Sequence, residues 1–504
     1  MFQIKPGLDE FTAAFKAGKN QVVWARIVAD LDTPVSLMLK LTQGRKDSFI
    51  LESVTGGEVR GRYSIIGMKP DLVWQCHGDK ARLNRQARYD ETAFVDEPTD
   101  PLTSLRALLA ESAIELPEGL PPMSAGLFGF LGYDMIRLVE HLPDINPDPL
   151  GLPDAVMQRP SVVVVVDGVK GEVTVISPAW ANSGLEARAA YAQAAERVAD
   201  ALRELDRPAV AGISTVAEGT SAEPVSNMSK AEYFAMVEKA RDYIRAGDIF
   251  QVVPSQRWKQ AFTLPPFTLY RALRRTNPSP YMFYFNFGNY QIVGASPEIL
   301  VQVKGTQVTI RPIAGTRPRG ANEAEDQALE KDLLNDPKER AEHLMLLDLG
   351  RNDVGRVAKT GTVNPNEQFI IERYSHVMHI VSNVVGELSD EHDALSALLA
   401  GLPAGTVSGA PKVRAMQIID ELETEKRGVY GGGFGYFSAN GDMDICIALR
   451  TAVIKDQMLY VQAGGGVVYD SDPEAEYQET VNKSKALKQA AIEAALFGNS
   501  GGNQ

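Results

Sequence analysis

The sequence predicts an α+β protein. Short apolar runs follow one another at Met282–Phe287, Tyr290–Gly294 and Ile299–Val303, as expected for antiparallel strands. Asn440-Gly441 separates two further strand-like runs, and Asn-Gly is the strongest short signal for a β-hairpin. Long amphipathic stretches such as Leu185–Leu205 predict helices that do not alternate regularly with the strands. This mixture favours α+β over a parallel sheet built from βαβ units.

The composition is that of a globular protein. Of 504 residues, 44% are hydrophobic and 23% are charged, and the net charge of −14 argues against general nucleic-acid binding. Only Cys76 and Cys446 are present, without CxxC spacing, so we expect neither a disulfide framework nor a structural zinc site. No apolar run approaches the roughly 20 residues of a membrane span, and the start lacks a signal-peptide core. We therefore expect a soluble, cytoplasmic protein without membrane or nucleic-acid partners.

Residues 1–207 are predicted to form an N-terminal domain. In chain order the signals predict a helix at Asp9–Ala17, strands at Val22–Ala29 and Ser48–Ser53, a helix at Pro101–Glu111, a Gly-rich strand at Gly126–Asp134, two strands around Asp167-Gly168 and a helix at Leu185–Leu205. Residues 208–229 are small and polar without periodicity, which predicts a linker. A second domain at 230–492 and a frayed tail at 493–504 complete the predicted organisation. The alternative is that the linker does not separate independent domains and that the two halves share sheets.

The second domain has clear helix starts. Its predicted elements are a helix at Lys230–Ala246, a strand at Asp248–Val253, a helix at Phe267–Asn277, a strand at Val308–Ile313 and a helix at Val413–Glu421. Two further helices are predicted to start at Asp336-Pro337 and at Asp472-Pro473, with Asp as the N-cap and Pro in the first turn. These two starts place Glu342 and Glu479 in the early turns of their helices.

Residues 427–485 contain the features that packing explains least. Gly431–Gly433 and Gly464–Gly466 are glycine triplets beside predicted strands, where each Gly costs roughly 0.5–1 kcal/mol relative to Ala. Bare backbone amides suit a carboxylate or a phosphate, and Arg450 at a strand end is a suitable anion partner. The alternative is that the triplets are bulges of a twisted sheet and that Arg450 lies at the edge of the protein.

Two helix-borne carboxylates, Glu342 and Glu479, could hold one hard cation. Magnesium keeps several waters and often takes only one or two protein carboxylates together with substrate oxygens. The alternative is that both are solvated surface acids. The small loop at 403–412 precedes a helix and could bind an anion, although it lacks the P-loop spacing. His376 and His379 could share a helical face, but a zinc site is not expected because no third His or Cys is nearby.

A set of motifs identifies a family. They are PIAGTRPRG at 312–320, AEHLMLLDLGRND at 341–353, HVMHIVS at 376–382, PAGTVSGAPK at 403–412, the YGGGFGYF and IALR strands, and QAGGGVVYDSDPEAEYQET. Together they resemble the chorismate-utilising enzymes, and most closely the large subunits (component I) of anthranilate synthases. ILES at 50–53 and RYSIIG at 62–67 resemble the N-terminal part of the same family.

The resemblance implies a fold and a reaction. The fold is a large sandwich with antiparallel or mixed β-sheets inside and helices outside. The reaction is the Mg²⁺-dependent amination of chorismate by ammonia, followed by elimination of pyruvate to give anthranilate. This is the first committed step of L-tryptophan biosynthesis, and L-tryptophan is its feedback inhibitor.

The resemblance also assigns residues by position. Glu298 matches the general acid, which must be buried to hold its proton at neutral pH. The other catalytic matches are His379, Thr406 and Gln251. Chorismate would be bound by Gly315, Thr316, Tyr430, Arg450, Gly464, Gly465, Gly466 and by Lys483 or Lys485. Glu342 and Glu479 match the magnesium ligands, and the L-tryptophan site matches Ser53, Pro280, Tyr281 and Met282.

Two positions separate this chain from relatives with other reactions. Water-adding relatives carry a Lys as general base where this chain has Gln251, and a neutral amide cannot deprotonate water. Aminodeoxychorismate synthases read PIKGT, whereas this chain has Ala314 in place of that Lys. Both differences favour an anthranilate synthase. The alternatives are an enzyme that stops at aminodeoxyisochorismate and a non-catalytic paralogue.

The ammonia must have a source. A glutaminase needs a nucleophilic Cys with a His base, and neither Cys76 nor Cys446 lies in such a setting, although His77 follows Cys76. We therefore expect a separate glutamine amidotransferase subunit (component II) and an assembly such as a heterotetramer.

Overall fold

The computed structural model describes residues 3–54, 61–208, 223–374 and 377–497. Its α-helices are α1 (Leu8–Lys16), α2 (Pro34–Thr42), α3 (Pro101–Glu111), α4 (Ala187–Leu205), α5 (Lys230–Arg245), α6 (Pro266–Thr276), α7 (Glu323–Asn335), α8 (Pro337–Gly355), α9 (Ala394–Gly401), α10 (Lys412–Leu422) and α11 (Pro473–Glu493). Short 3₁₀ helices lie at Pro122–Ser124, Tyr133–Leu138, Gly405–Val407 and Ala494–Phe497. None of these helices has the length and apolar character that crossing a bilayer requires.

The strands are distributed along the whole chain. Those before the predicted linker are β1 (Gln21–Val28), β2 (Ser48–Glu52), β3 (Tyr63–His77), β4 (Lys80–Asn84), β5 (Val95–Asp96), β6 (Gly126–Leu131), β7 (Ala155–Asp167) and β8 (Glu172–Ala179). Those after residue 222 are β9 (Val225–Ser226), β10 (Gln251–Val252), β11 (Ser255–Ala261), β12 (Tyr281–Asn286), β13 (Tyr290–Ser296), β14 (Ile299–Lys304), β15 (Gln307–Ile310), β16 (Ile313–Pro318), β17 (Asn364–Arg373), β18 (Val377–Glu387), β19 (Gly409–Ala410), β20 (Gly433–Ser438), β21 (Met443–Ile447), β22 (Thr451–Lys455) and β23 (Met458–Gly464).

Two sheets share the long strands β3 and β7. One sheet continues from β3 through β2, β12, β13, β22, β23 and β11. The other continues from β7 through β6, β20, β21, β14, β15 and β18, with β16 and β17 beside β18. Every pairing of these strands is antiparallel. The α+β class predicted from the strand runs is therefore confirmed.

Aromatic side chains fill the space between the two sheets. Phe283 stacks on Phe434 at 4.4 Å between ring centroids, and Phe49 stacks on Phe128 at 4.8 Å. Phe49 and Phe283 belong to one sheet, whereas Phe128 and Phe434 belong to the other. Alternate strand residues point to opposite faces, so these rings form the inner layer of a sandwich.

The helices cover the outer faces of the sheets, as the family resemblance implied. Buried side chains of α1, α2, α4, α6 and α11 pack on one sheet. Those of α3, α8 and α9 pack on the other. The two predicted domains share both sheets, since β2 pairs with β12 (Glu52 opposite Met282) and β6 pairs with β20 (Gly129 opposite Gly435).

Several predicted element limits differ from the structure. The single strand predicted at Val308–Ile313 is two strands, β15 and β16, because the chain breaks at Pro312, which has no N–H to donate. The strand predicted at Asp248–Val253 shortens to β10, because the Asp248 amide still closes the end of α5 by donating to the Tyr243 carbonyl.

The predicted linker and tail also differ in part. The linker ends in β9, and its middle, residues 209–222, lies outside the described residues. Ala494–Phe497 was predicted to be frayed but forms a 3₁₀ turn, because Ala494 and Ala495 are buried.

Candidate active site

Two capped helices present acidic side chains to the same region. The Asp336 carboxylate accepts from the Lys338 and Glu339 amides at the start of α8, and Asp472 accepts from the Ala475 amide at the start of α11. Lys338 Nζ lies 3.5 Å from an Asp470 carboxylate oxygen, which joins the two helix starts. These caps set the helical register that places Glu342 and Glu479.

Gln251 and Lys483 hold these two carboxylates. Gln251 Nε2 donates to Glu342 Oε1 at 3.1 Å, and Lys483 Nζ lies 2.7 Å from Glu479 Oε1. Gln251 is 3% exposed, and its Oε1 has no hydrogen-bond partner among the described residues. Burial is the main cause that raises the pKa of Glu342, and the nearby carboxylates of Glu339 and Glu479 raise it further.

Two more carboxylates belong to this cluster and were missed. Glu339 and Glu476 each stand three residues before a predicted ligand, so they share its helix face. Burial raises the pKa of Glu476 to about 7, and its Oε2 is buried without a partner among the described residues. The repeated Glu-x-x-Glu spacing on α8 and α11 was the sequence signal that could have identified both.

The glycine triplet at 464–466 lies against this cluster. A Cβ on Gly464 would meet the Tyr430 hydroxyl at 2.9 Å, and one on Gly466 would meet Gln251 Nε2 at 2.7 Å. Lys483 Nζ also donates to the Gly464 carbonyl at 3.0 Å. Only glycine lets this backbone approach the site side chains so closely.

The other glycine triplet has a different reason. A Cβ on Gly432 would lie 2.4 Å from the Leu131 carbonyl, and one on Gly433 would lie 2.5 Å from Ile445. Close strand packing therefore explains Gly432 and Gly433 without a ligand, and the anion-site interpretation of this triplet stays a prediction.

Glu298 is buried in the short segment between β13 and β14. Its side chain accepts from Thr406 Oγ1 at 3.3 Å to each oxygen, and the residue is 6% exposed. Burial raises the pKa of Glu298 to about 8, against the opposing effects of Thr406 and the Lys483 charge. The predicted burial of this carboxyl is confirmed.

His379 lies on strand β18, so the interpretation that placed it on a helix is wrong; His376 lies outside the described residues. The Nδ1 atom of His379 is 3.0 Å from both the Gly315 carbonyl oxygen and Thr316 Oγ1. Because a carbonyl oxygen only accepts, Nδ1 carries the hydrogen and Nε2 keeps its lone pair. Burial is the main cause that lowers the pKa of His379, and Arg450 also lowers it, which favours the neutral ring.

Arg450 and Tyr430 complete the set of predicted substrate residues. Arg450 has φ = 47° in the turn between β21 and β22, and it forms no ion pair with a described side chain. Burial raises the pKa of the Tyr430 hydroxyl, so it remains protonated. Lys483 lies close enough to influence Glu298, Glu342 and Tyr430. Lys485 lies about 200° further around the helix, so it projects from a different face of α11 than Lys483.

Arg427, which was not predicted as a site residue, contacts several segments that carry site residues. It is 3% exposed and donates to the carbonyls of Val407 and Val253, both at 2.6 Å, and to Glu423. Val407 follows Thr406, and Val253 lies two residues after Gln251. The Arg427 guanidinium is also 5.4 Å from the Tyr430 ring centroid. One buried cation therefore connects three parts of the site.

The predicted inhibitor residues lie elsewhere, in a cavity between the sheets. Ser53, Pro280, Tyr281 and Met282 all line this cavity of about 580 Å³, together with Phe434, Tyr436 and Cys446. They meet because β2 pairs with β12 across the two halves of the chain. Local sequence patterns do not indicate this juxtaposition, which only the family resemblance implied.

No complete metal site is preformed within the described ranges. No group of three or more His, Cys, Asp or Glu side chains there is arranged to hold an ion. Glu476 Oε2 nevertheless has no partner among the described residues, and burial is the main cause that raises the pKa of both Glu342 and Glu476. Such a cluster fits a hard cation that completes its coordination with substrate oxygens and water.

Comparisons with known proteins identify the family of this chain. The profile of the family described as chorismate binding enzyme matches residues 50–489. Anthranilate synthase component 1 from Cereibacter sphaeroides is 72% identical over 98% of this chain and 99% of its own length. The Pseudomonas putida protein of the same name is 48% identical over 96% of this chain and 97% of its own length.

Solved structures show the same fold. Anthranilate synthase component I from Streptococcus pneumoniae is 40% identical, with a TM-score of 0.77 over 92% of this chain and 98% of that one. The menaquinone-specific isochorismate synthase from Escherichia coli shares the fold at 19% identity, with a TM-score of 0.68 over 96% and 98% of the two chains. This chain therefore belongs to the chorismate-binding enzyme family, among the anthranilate synthase component 1 proteins.

Proposed function

We propose that this chain converts chorismate and ammonia into anthranilate, pyruvate and water. The observation that carries the proposal is Glu298, a buried carboxyl with a pKa of about 8 that contacts Thr406 and lies near Lys483. A carboxyl with this pKa holds its proton at neutral pH and can donate it to a leaving hydroxyl. Amination of chorismate needs such an acid, because the C4 hydroxyl must leave as water.

The charges around the site suit a dicarboxylate substrate. Arg450 lacks an ion-pair partner among the described side chains, and the Gly464–Gly466 amides lie beside Tyr430 and Lys483. These groups would bind the two carboxylates of chorismate, with Gly315 and Thr316 beside the enolpyruvyl arm. An acidic protein can bind this dianion because the local groups are donors.

The reaction can be written in two balanced steps. Ammonia forms a bond to ring C2 while the C4 hydroxyl takes the proton of Glu298 and departs as water. The new ammonium group then loses one proton, and the return of a proton to the Glu298 carboxylate restores the acid. Gln251 Oε1, which lacks a partner among the described residues, can accept an N–H of the incoming ammonia. Loss of pyruvate with the ring hydrogen at C2 then gives the aromatic product, and His379 Nε2 assists this proton transfer.

Mg²⁺ fits the carboxylate cluster. Glu342 and Glu479 would hold it, with Glu339 and Glu476 beside them. When bound, it would neutralise the ring carboxylate and make the ring a better electron sink. The chain itself supplies orientation, since Gln251 and Lys483 fix the two carboxylates before the ion binds.

Glu342→Gln should raise the Mg²⁺ concentration needed for half-maximal binding by ~10–100-fold or more. Removing a residue that only hydrogen-bonds a metal ligand already weakens metal affinity by this factor. Calorimetric titration with MgCl₂ in the presence of chorismate measures this directly. Asp348→Asn, on the exposed side of the same helix, is the matched control and should bind Mg²⁺ like the unchanged chain. Equal affinities for both variants would remove Glu342 from the metal site.

The ammonia would come from a glutamine amidotransferase subunit. Both thiols are buried, and burial raises the pKa of Cys76 to about 12 and that of Cys446 also. Neither can supply the thiolate that a glutaminase needs. This supports an assembly with a component II partner, such as a heterotetramer.

The cavity between the sheets supports feedback inhibition by L-tryptophan. Ser53→Phe should fill the end of the cavity that Ser53 lines and leave less room for L-tryptophan. The ratio of inhibited to uninhibited rate should therefore rise towards one. Measuring anthranilate formation at increasing tryptophan concentrations gives this ratio. Ser183→Phe, at an exposed turn, is the control and should be inhibited normally.

The decisive assay uses the purified chain with chorismate, MgCl₂ and an ammonium salt, and follows anthranilate fluorescence together with pyruvate. Both should increase at the same rate. Chorismate loss without pyruvate would instead indicate an enzyme that stops at aminodeoxyisochorismate. No turnover, alone or with a glutaminase subunit, would indicate a non-catalytic paralogue.

A further inference from the structure

The wall between the cavity and the active site contains one connected set of side chains. Glu372 on β17 is paired directly opposite His379 on β18, and His379 is paired opposite Thr316 on β16. Directly paired residues of antiparallel strands project to the same face. Glu372 is therefore the cross-strand neighbour of the proposed catalytic histidine.

Tyr374 connects Glu372 to that histidine. Its hydroxyl donates to Glu372 Oε2 at 2.9 Å, and its ring meets the His379 ring edge-on at 5.5 Å between centroids. Arg450 lies near both rings, since its charge affects His379 and is itself affected by Tyr374. Tyr374 thus contacts the imidazole on the side away from Gly315 and Thr316.

Arg311 holds the other oxygen of Glu372. Arg311 Nη2 donates to Glu372 Oε1 at 2.5 Å, and both side chains are largely buried, at 17% and 20% exposure. Arg311, Glu372 and Tyr374 also line the cavity that contains Ser53 and Pro280–Met282. The cavity is therefore lined by Tyr374, which contacts His379, and by the Glu372–Arg311 pair that holds the Tyr374 hydroxyl.

We propose that Tyr374, held by the Arg311–Glu372 pair, is a positioning residue for His379, and that a ligand in the cavity reduces catalysis by displacing this pair. The proposal rests on the proposed function, because it concerns the regulation of that same active site. Arg311 also lies 3.4 Å from a Glu367 carboxylate oxygen, so a competing charge that draws Arg311 away leaves Glu372 as the partner without its cation. An amino acid, with its carboxylate and ammonium groups, supplies such charges.

Tyr374→Phe tests the proposal because it keeps the ring against His379 and removes the hydroxyl that donates to Glu372. We expect kcat to fall by up to about 10²-fold with little change in KM, the result of a misplaced catalytic group. Ordinary allosteric coupling changes an affinity by about 5–150-fold. In the Tyr374→Phe protein, we expect the factor by which L-tryptophan lowers the rate to approach one. Glu372→Gln, which keeps the shape and removes the charge, should weaken inhibition in the same direction.

Tryptophan binding, measured by calorimetry on the same proteins, separates coupling from binding. Retained binding with lost inhibition supports the proposal. Lost binding would make Tyr374 only a part of the ligand site, and unchanged kcat and inhibition would leave it without a role; either result overturns the proposal. Tyr89→Phe, a remote and exposed position, is the matched control. If the unchanged chain neither converts chorismate nor binds tryptophan, the proposed function itself has failed.

Discussion

Glu298→Gln should lower kcat by about 10²–10⁴-fold, the range that a positioned general acid contributes. The amide has the shape of the protonated carboxyl and can still meet Thr406, but it cannot give up a proton to the leaving hydroxyl. Burial alone makes the native carboxyl suitable, since it raises the pKa of Glu298 to about 8. Anthranilate and pyruvate formation at saturating chorismate and ammonium measure the effect.

The pH dependence has a defined sign. The acid form of Glu298 is present below pH 8, so kcat should fall as pH rises through about 8. Stability should follow the same direction, because the folded chain keeps a proton that the unfolded chain loses above its usual pKa of 4.5. Above pH 4.5, keeping Glu298 protonated in the folded chain lowers the free energy of unfolding. Glu298→Gln removes this effect, so the variant should be at least as stable at neutral pH while being inactive.

A control identifies the cause. Glu115→Gln replaces an exposed carboxylate and should change neither the rate nor the melting temperature. A Glu298→Gln protein that keeps the full rate would exclude this residue as the acid. Loss of activity together with a lower melting temperature would instead show damage to the fold.

Arg427→Met should lower the free energy of unfolding by roughly 3–5 kcal/mol, the cost of breaking a buried ion pair by removing one partner. Glu423 would remain buried without its cation, although Ser255 would still donate to it. The carbonyls of Val407 and Val253 would also lose their donors. Urea unfolding followed by circular dichroism measures the change.

Two comparisons test this explanation. The double variant Glu423→Met with Arg427→Met should recover part of the loss, because no uncompensated charge is then buried. Arg245→Met, which removes an exposed partner of Asp242, should cost less than about 1 kcal/mol. A single variant as stable as this control would show that the buried pair contributes little.

Local signals predicted much of the fold and part of the site. Asp-Pro starts at 336 and 472 predicted α8 and α11, because capping depends on residues within one turn. Asn440-Gly441 predicted the hairpin of β20 and β21, where Gly441 has φ = 94°. The same local analysis could not distinguish the two glycine triplets, because their difference lies in which distant atoms approach each backbone.

The site assignments divided in a similar way. The family motifs indicated Glu342, Glu479 and Lys483, which the structure brings into one cluster, whereas Lys485 lies outside it. Glu339 and Glu476 were missed because an exposed acid pair on a helix is ordinary in sequence. Arg427 was missed because its partners, Val253 and Val407, are distant along the chain.

The sequence by itself determined where helices and turns begin, the family, and the residue types available for chemistry, because these depend on neighbouring residues or on motifs. The family resemblance implied that Glu298 is buried and that Ser53 meets Pro280–Met282, and the tertiary structure provides the surroundings of both. Only the tertiary structure decided that Arg311, Glu372 and Tyr374 connect that cavity to His379. These properties arise from desolvation and strand pairing between segments far apart in the chain. A carboxyl becomes an acid at neutral pH through its surroundings, and those surroundings form only when the two sheets pack together.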